Sequence, residues 1–164
     1  MSRTVVLFAV VCGFWLGGPL LAADLALTSE LGIGNELDLV QEGELNVAEL
    51  AQRGEGNLIA GAQLGVANTL TVSQLGWSNR VDSHQQGLGN EASIDQAGEA
   101  NLIALEQVGN SNWASLHQDG WGNAAYVQQV GIGNRADITQ SGSGSSVSVT
   151  QWGDYNIATV VQSH

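Results

Sequence analysis

The sequence predicts an all-β fold, a two-sheet β-solenoid (cross-β) of about six 22-residue strand-turn-strand repeats. Three observations carry that prediction. An Asn, a Gln and a Gly return every eleven residues. Between the Asn and the Gln, apolar residues alternate with polar ones. At one of those apolar positions small and large side chains alternate from unit to unit, which doubles the period to 22.

Residues 1–23 read differently, as a secretory signal peptide. Arg3 gives a positive start, Val5 to Trp15 is almost wholly apolar, and small residues lead to Ala22 and Ala23, where cleavage is expected. The run is short for a bilayer-crossing helix, which needs about 20 residues, so no membrane span is expected after cleavage. Met1, Phe8, Cys12, Phe14 and Pro19 all leave with this segment. What remains has no Cys and no Lys. Arg53, Arg80 and Arg135 stand against all 16 acids, a net charge of −13. With no disulfide available, some other device must hold a secreted chain of this size together. The acidity argues against nucleic acid or an anionic membrane surface as a partner.

Residues 24–34 form an imperfect N-terminal half-repeat, with Asp24 in the Asn position, Glu30 in the Gln position and Gly32 in place. From 35 to 164 the series is unbroken. The Asn positions hold Asn35, Asn46, Asn57, Asn68, Asn79, Asn90, Asn101, Asn112, Asn123, Asn134, Ser145 and Asn156. Six residues after each stands a Gln: Gln41, Gln52, Gln63, Gln74, Gln85, Gln96, Gln107, Gln118, Gln129, Gln140, Gln151 and Gln162. Two further on come Gly43, Gly54, Gly65, Gly76, Gly87, Gly98, Gly109, Gly120, Gly131, Gly142 and Gly153.

The unit is therefore N-x-φ-x-φ-x-Q-x-G-x-x, with φ usually apolar. Alternation from Asn to Gln has the period of a β-strand. The four residues x-G-x-x are expected to form the turn, where glycine permits a positive φ or a close backbone approach. An eleven-residue period can also mark a right-handed coiled coil, but a glycine in every unit and Val, Ile and Thr in the strand positions oppose helix. Two residues after the Asn, one half of the units carries Ala48, Leu70, Ala92, Ala114, Ala136 and Ala158. The other half carries Leu37, Ile59, Val81, Ile103, Ala125 and Val147. Facing sheets can interdigitate on such a pattern without voids.

One unit cannot bury its apolar face alone, whereas a stack of units can. From Asn35 onward every Asp, Glu, Arg and His falls on an outward or turn position, as the cost of burying an unpaired charge requires. The inward Asn and Gln are expected to meet the identical amide one rung above and below and the backbone of the turns, forming amide ladders that satisfy both polar ends and fix register. The sequence closes on Gln162-Ser163-His164, just beyond a well-formed strand and with no Pro or Lys run to blunt the edge. Such an edge is expected to accept the next molecule.

The unit resembles the curlin repeat, whose subunits build curli, the functional amyloid fibres of bacterial biofilms. "NEASIDQ", "NWASLHQ", "NRADITQ" and "NIATVVQ" look like its second strand, and "QVGIGN" and "QWGDYN" like its turn. The resemblance implies a secreted subunit of a cell-surface fibre (fimbrium). It implies self and companion curlin subunits as partners, with an export channel and chaperones on the way out. The absence of a Gly-rich N-terminal segment, the single Ser in the Asn positions, "QAGEAN" and "GDYN" resemble the minor, nucleating subunit more than the major one. The regular, nearly uncharged "NIATVVQSH" departs from the minor type.

No catalytic residue, metal site or cofactor is expected. His84 and His117 lie 33 residues apart, one and a half rungs, and so on opposite sheets. Calcium binding by Glu42, Glu44, Glu99 and Asp154 lacks the glycine–aspartate pattern of calcium-binding solenoids. The rival reading is a monomeric secreted β-solenoid binding module. It would use outward or turn aromatics as surface contacts: Trp77, Trp113, Trp121, Trp152 and Tyr126, with Tyr155 beside them.

Overall fold

Period-two patterning over nine-residue stretches gives thirteen strands and no helix in the computed structural model, which describes residues 25–164. They are β1 (Leu25–Ile33), β2 (Glu36–Glu44), β3 (Val47–Glu55), β4 (Leu58–Val66), β5 (Thr69–Trp77), β6 (Arg80–Leu88) and β7 (Glu91–Glu99). There follow β8 (Leu102–Asn110), β9 (Trp113–Trp121), β10 (Ala124–Ile132), β11 (Arg135–Ser143), β12 (Ser146–Trp152) and β13 (Ile157–Ser163). The leader expected at 1–23 lies outside the described residues.

Odd strands form one parallel sheet, β1-β3-β5-β7-β9-β11-β13, and even strands the other, β12-β10-β8-β6-β4-β2. Every pairing joins residues 22 apart, so like positions stack: Ala92 on Ala114, Gln96 on Gln118, Gly98 on Gly120. The imperfect half-repeat keeps this frame, with β1 paired to β3 from Leu25↔Val47 to Ile33↔Glu55. The chain is thus a two-sheet solenoid, each rung about 4.8 Å above the last.

The core lies between the sheets. Ala48, Leu70, Ala92, Ala114 and Ala136 of the odd sheet and Ile59, Val81, Ile103 and Ala125 of the even sheet are buried, as are Leu50, Val72, Ile94, Leu116 and Ile138 two residues on from the odd set. At the ends of the described stack Ala26, Leu37, Ala158 and Val160 hold core positions only partly covered. No Asp, Glu, Arg or His is buried among the described residues.

Parallel, in-register stacking sets each outward residue above its counterpart, so a repeated charge would face itself along the stack. The chain avoids this. Among the described pairings no acid stands next to an acid: Glu49 lies between Leu27 and Thr71, Asp82 between Ala60 and Ala104, Asp95 between Ser73 and His117. Like charges directly opposite destabilise a sheet, which explains how so acidic a chain can stack at all.

One expectation is corrected. The strands do not stop at Gln, and the four residues after it do not form the turn. From β1 to β11 each strand continues through the glycine to one residue beyond, and apart from the link between β12 and β13 the reversal takes only two residues, such as Leu45-Asn46 or Ala100-Asn101. The two sheets are close enough for so short a link because the small and large side chains between them interlock.

Candidate functional site

The repeated polar residues form four columns through the interior. Along the even sheet, each Gln Nε2 donates to the Oε1 of the next: Gln41 to Gln63, then Gln85, Gln107, Gln129 and Gln151. Along the odd sheet the same chain runs from Gln52 through Gln74, Gln96, Gln118 and Gln140 to Gln162. All ten bonds are 2.7–3.1 Å. The second Nε2 proton of each goes to a carbonyl of the facing strand, as from Gln85 to Thr69 O at 2.8 Å and from Gln107 to Glu91 O at 3.0 Å. In the middle of the columns, as at Gln63, Gln85, Gln96, Gln107, Gln118, Gln129 and Gln140, each amide is fully engaged at no exposure to water, as a buried amide requires.

The asparagines sit in the two-residue turns. One column holds Asn35, Asn57, Asn79, Asn101 and Asn123, and the other Asn46, Asn68, Asn90, Asn112, Asn134 and Asn156. Here Nδ2 donates back to the preceding rung, at 2.9–3.2 Å throughout. Asn90 shows the whole pattern. Its Nδ2 donates to Asn68 Oδ1, to Gln86 O and to Gly109 O, and its backbone N–H also donates to Asn68 Oδ1. The side chain thus closes the turn it stands in and ties it to both neighbouring rungs. Gln columns donate toward the C-terminal end of the stack and Asn columns toward the N-terminal end, so their dipoles oppose.

Two irregular positions interrupt the columns. Ser145 has no side-chain amide to donate along its column: its backbone N–H donates to Asn123 Oδ1, and its buried Oγ has no partner. Gln52 Oε1 is buried and unpartnered because its register neighbour is Glu30, not a donating Gln.

The glycine column explains the strand's course. Gly87 has φ +125, and a Cβ built on it would lie 2.0 Å from the carbonyl oxygen of Gly109 in the next rung. Backbones approach here more closely than any side chain permits. The same contact, at 2.1 Å or less, recurs at Gly43, Gly54, Gly65, Gly76, Gly98, Gly109, Gly120 and Gly131, each against the next glycine, and at Gly142 against His164. Sequence reasoning missed the residue just before each Asn, which carries the left-handed turn. It is Gly in half the units, but Leu45, Ala67, Ser78, Ala100, Ser111 and Tyr155 adopt φ of 54–61 in the others. Small residues and glycine recurring immediately before Asn were the available signal.

Outside, the structure separates the aromatics. Trp77, Trp121, Trp152 and Tyr126 are exposed, as is Tyr155. Trp113 is not a free surface contact: it is half-buried, and the Arg135 guanidinium lies 4.0 Å over its ring, one rung away. The 22-residue spacing of those two positions could have revealed the pair. His84 on β6 and His117 on β9 belong to different sheets, and His117 Nδ1 lies 3.2 Å from Asp95 Oδ2. Arg80 pairs with Asp82 at 2.8 Å; that hydrogen bond first, and the carboxylate's charge second, raise the guanidinium pKa further. Among the described residues no group of three or more His, Cys, Asp or Glu could hold a metal ion, and no helix is long and apolar enough to cross a membrane. What the arrangement offers is a repeated, interlocking surface.

The curlin associated repeat matches this chain three times, at residues 65–98, 98–131 and 109–142. No curated protein and no solved structure matches it at a significant level.

Proposed function

The chain belongs to the curlin repeat family, and from that premise we propose that it is a secreted structural subunit of curli-type amyloid fibres, built to assemble or to nucleate assembly on the bacterial surface for biofilm matrix and adhesion. Family and fold are structural rather than enzymatic. The supporting observation is that twelve of the thirteen described strands carry the same inward amide at the same register position, joined by ten bonds between copies 22 residues apart. A subunit whose rungs already bind one another through identical groups presents those groups to a second copy. The sheet edges at β1 and β2 and at β12 and β13 are unpaired within the described chain, and unpaired strands are templates for further pairing.

In this reading the Asn, Gln and Gly columns are the assembly site, and self and companion curlin subunits are the partners. Residues 1–23 are the signal peptide removed on export, and an outer-membrane channel and chaperones deliver the chain. The features that resemble the minor subunit favour the nucleating role over the elongating one. Seeds of this protein added in trace amounts to a companion subunit assign it: shortened lag marks a nucleator.

Purified protein is expected to form fibres with a meridional reflection at about 4.8 Å. A protein that stays monodisperse and monomeric for days at high concentration would overturn the reading in favour of a monomeric binding module.

A further inference from the structure

One column on the solenoid's surface has a chemistry of its own. The odd strands end on one edge, and between Ile33 and Ser143 their last residues stack in register as Glu55, Trp77, Glu99 and Trp121. Acid and indole alternate rung by rung. Trp77 is 58% and Trp121 64% exposed, and Glu55 and Glu99 are exposed with them. The glycines just before these residues share nearly one conformation, φ of 117, 111 and 120 at Gly76, Gly98 and Gly120, so the three side chains after them leave the edge in the same direction. The matching edge of the even strands is different: Glu44, Val66, Leu88, Asn110 and Ile132 stack there, with no indole and no alternation.

Trp77 and Trp121 are two rungs apart, about 10 Å. A cation midway would lie about 5 Å from each ring, inside the roughly 6 Å over which an indole face attracts a positive charge. Glu99 stands between the two rings, and Asp119 is exposed two residues before Trp121. Among the described residues the Glu99 carboxylate has no ion pair or side-chain hydrogen bond, unlike Asp82 and Asp95. The chain also demonstrates the chemistry itself, because Trp113 already holds the Arg135 guanidinium against its face.

Among the described residues no Lys or Arg fills the column. The protein has no Lys. Arg80 is held by Asp82 and Arg135 by Trp113, and Arg53 lies two strands from Glu99 in the sheet order. We propose that Trp77, Glu99 and Trp121 form a recognition site for arginine side chains of a partner protein, the guanidinium lying between the two indoles with its N–H groups on the Glu99 carboxylate. A planar, weakly hydrated guanidinium suits stacking and bidentate bonding at once, where a compact ammonium does not. The site is on a turn edge rather than on an unpaired strand, so it serves monomer and fibre alike and stands or falls separately from the fibre reading.

Fluorescein-labelled hexa-arginine, titrated with the protein and followed by anisotropy, tests it. Trp77→Ala, Trp121→Ala and Glu99→Gln are each expected to weaken binding about tenfold. Trp121→Phe is expected to retain most of it. Leu88→Ala on the opposite edge and Glu91→Gln, which removes the same charge at the far end of β7, are expected to change nothing. Hexalysine is expected to bind more weakly than hexa-arginine. Absence of binding overturns the proposal. So does equal loss in Glu91→Gln and Glu99→Gln, or unchanged affinity in both Trp→Ala variants, since either result reduces the attraction to net charge.

Discussion

Glu30 stands in register with Gln52, and Gln52 Oε1 is buried without a hydrogen-bond partner. Everywhere else along that column a Gln Nε2 donates to the Oε1 of the rung that follows. An ionised carboxylate has nothing to donate. Glu30→Gln supplies the missing donor and is expected to raise resistance to denaturant by about 1 kcal/mol, measured on the soluble protein before assembly. A neutral or destabilising outcome would show that the column ends at Gln52 for another reason.

The interior amides should matter far more than surface acids. Gln85→Ala strips Gln63 of its acceptor, leaves Gln107 Oε1 without a donor and removes the cross-sheet bond to Thr69 O. A loss of about 3 kcal/mol is expected, with slowed assembly. Glu49→Ala, on the exposed face, should stay within about 0.5 kcal/mol of the parent. Equal effects would refute a structural role for the amide columns.

Two glycine substitutions distinguish contact from conformation. Gly87→Ala drives a Cβ to 2.0 Å from the Gly109 carbonyl oxygen, and overpacking against backbone on this scale is expected to cost more than about 2 kcal/mol. Gly144→Ala adopts φ +65 with nothing within 4 Å of its Cβ, so only the left-handed penalty of about 1 kcal/mol applies. Chemical denaturation midpoints of the two variants check the order.

Charge spacing along the stack is testable at Ala60, which lies between Asp38 and Asp82. Ala60→Asp places three carboxylates in successive rungs, and is expected to cost about 1 kcal/mol relative to Ala60→Asn. The gap should close in high salt or as pH falls toward the pI of about 4.2, where the parent itself should also assemble faster as its negative charge is lost. A gap that persists in acid and in salt would assign the cost to packing instead of repulsion.

The sequence alone determined the period, the two faces of each strand and the sheet each strand joins. Those properties are local: alternation decides which side chains point inward, and an unbroken 22-residue repeat leaves only one register in which Asn meets Asn and Gln meets Gln. It also placed Trp77 and Trp121 in the same column. The tertiary structure decided where the chain reverses, because the glycine's place in the strand depends on the carbonyl of the next rung rather than on its neighbours in sequence. It decided the opposed directions of the amide columns, since an amide can point either way until its partners above and below are fixed. And it decided which aromatics remain free: Arg135 covers Trp113, while Glu99 comes to stand, without an ion pair, between two open indoles.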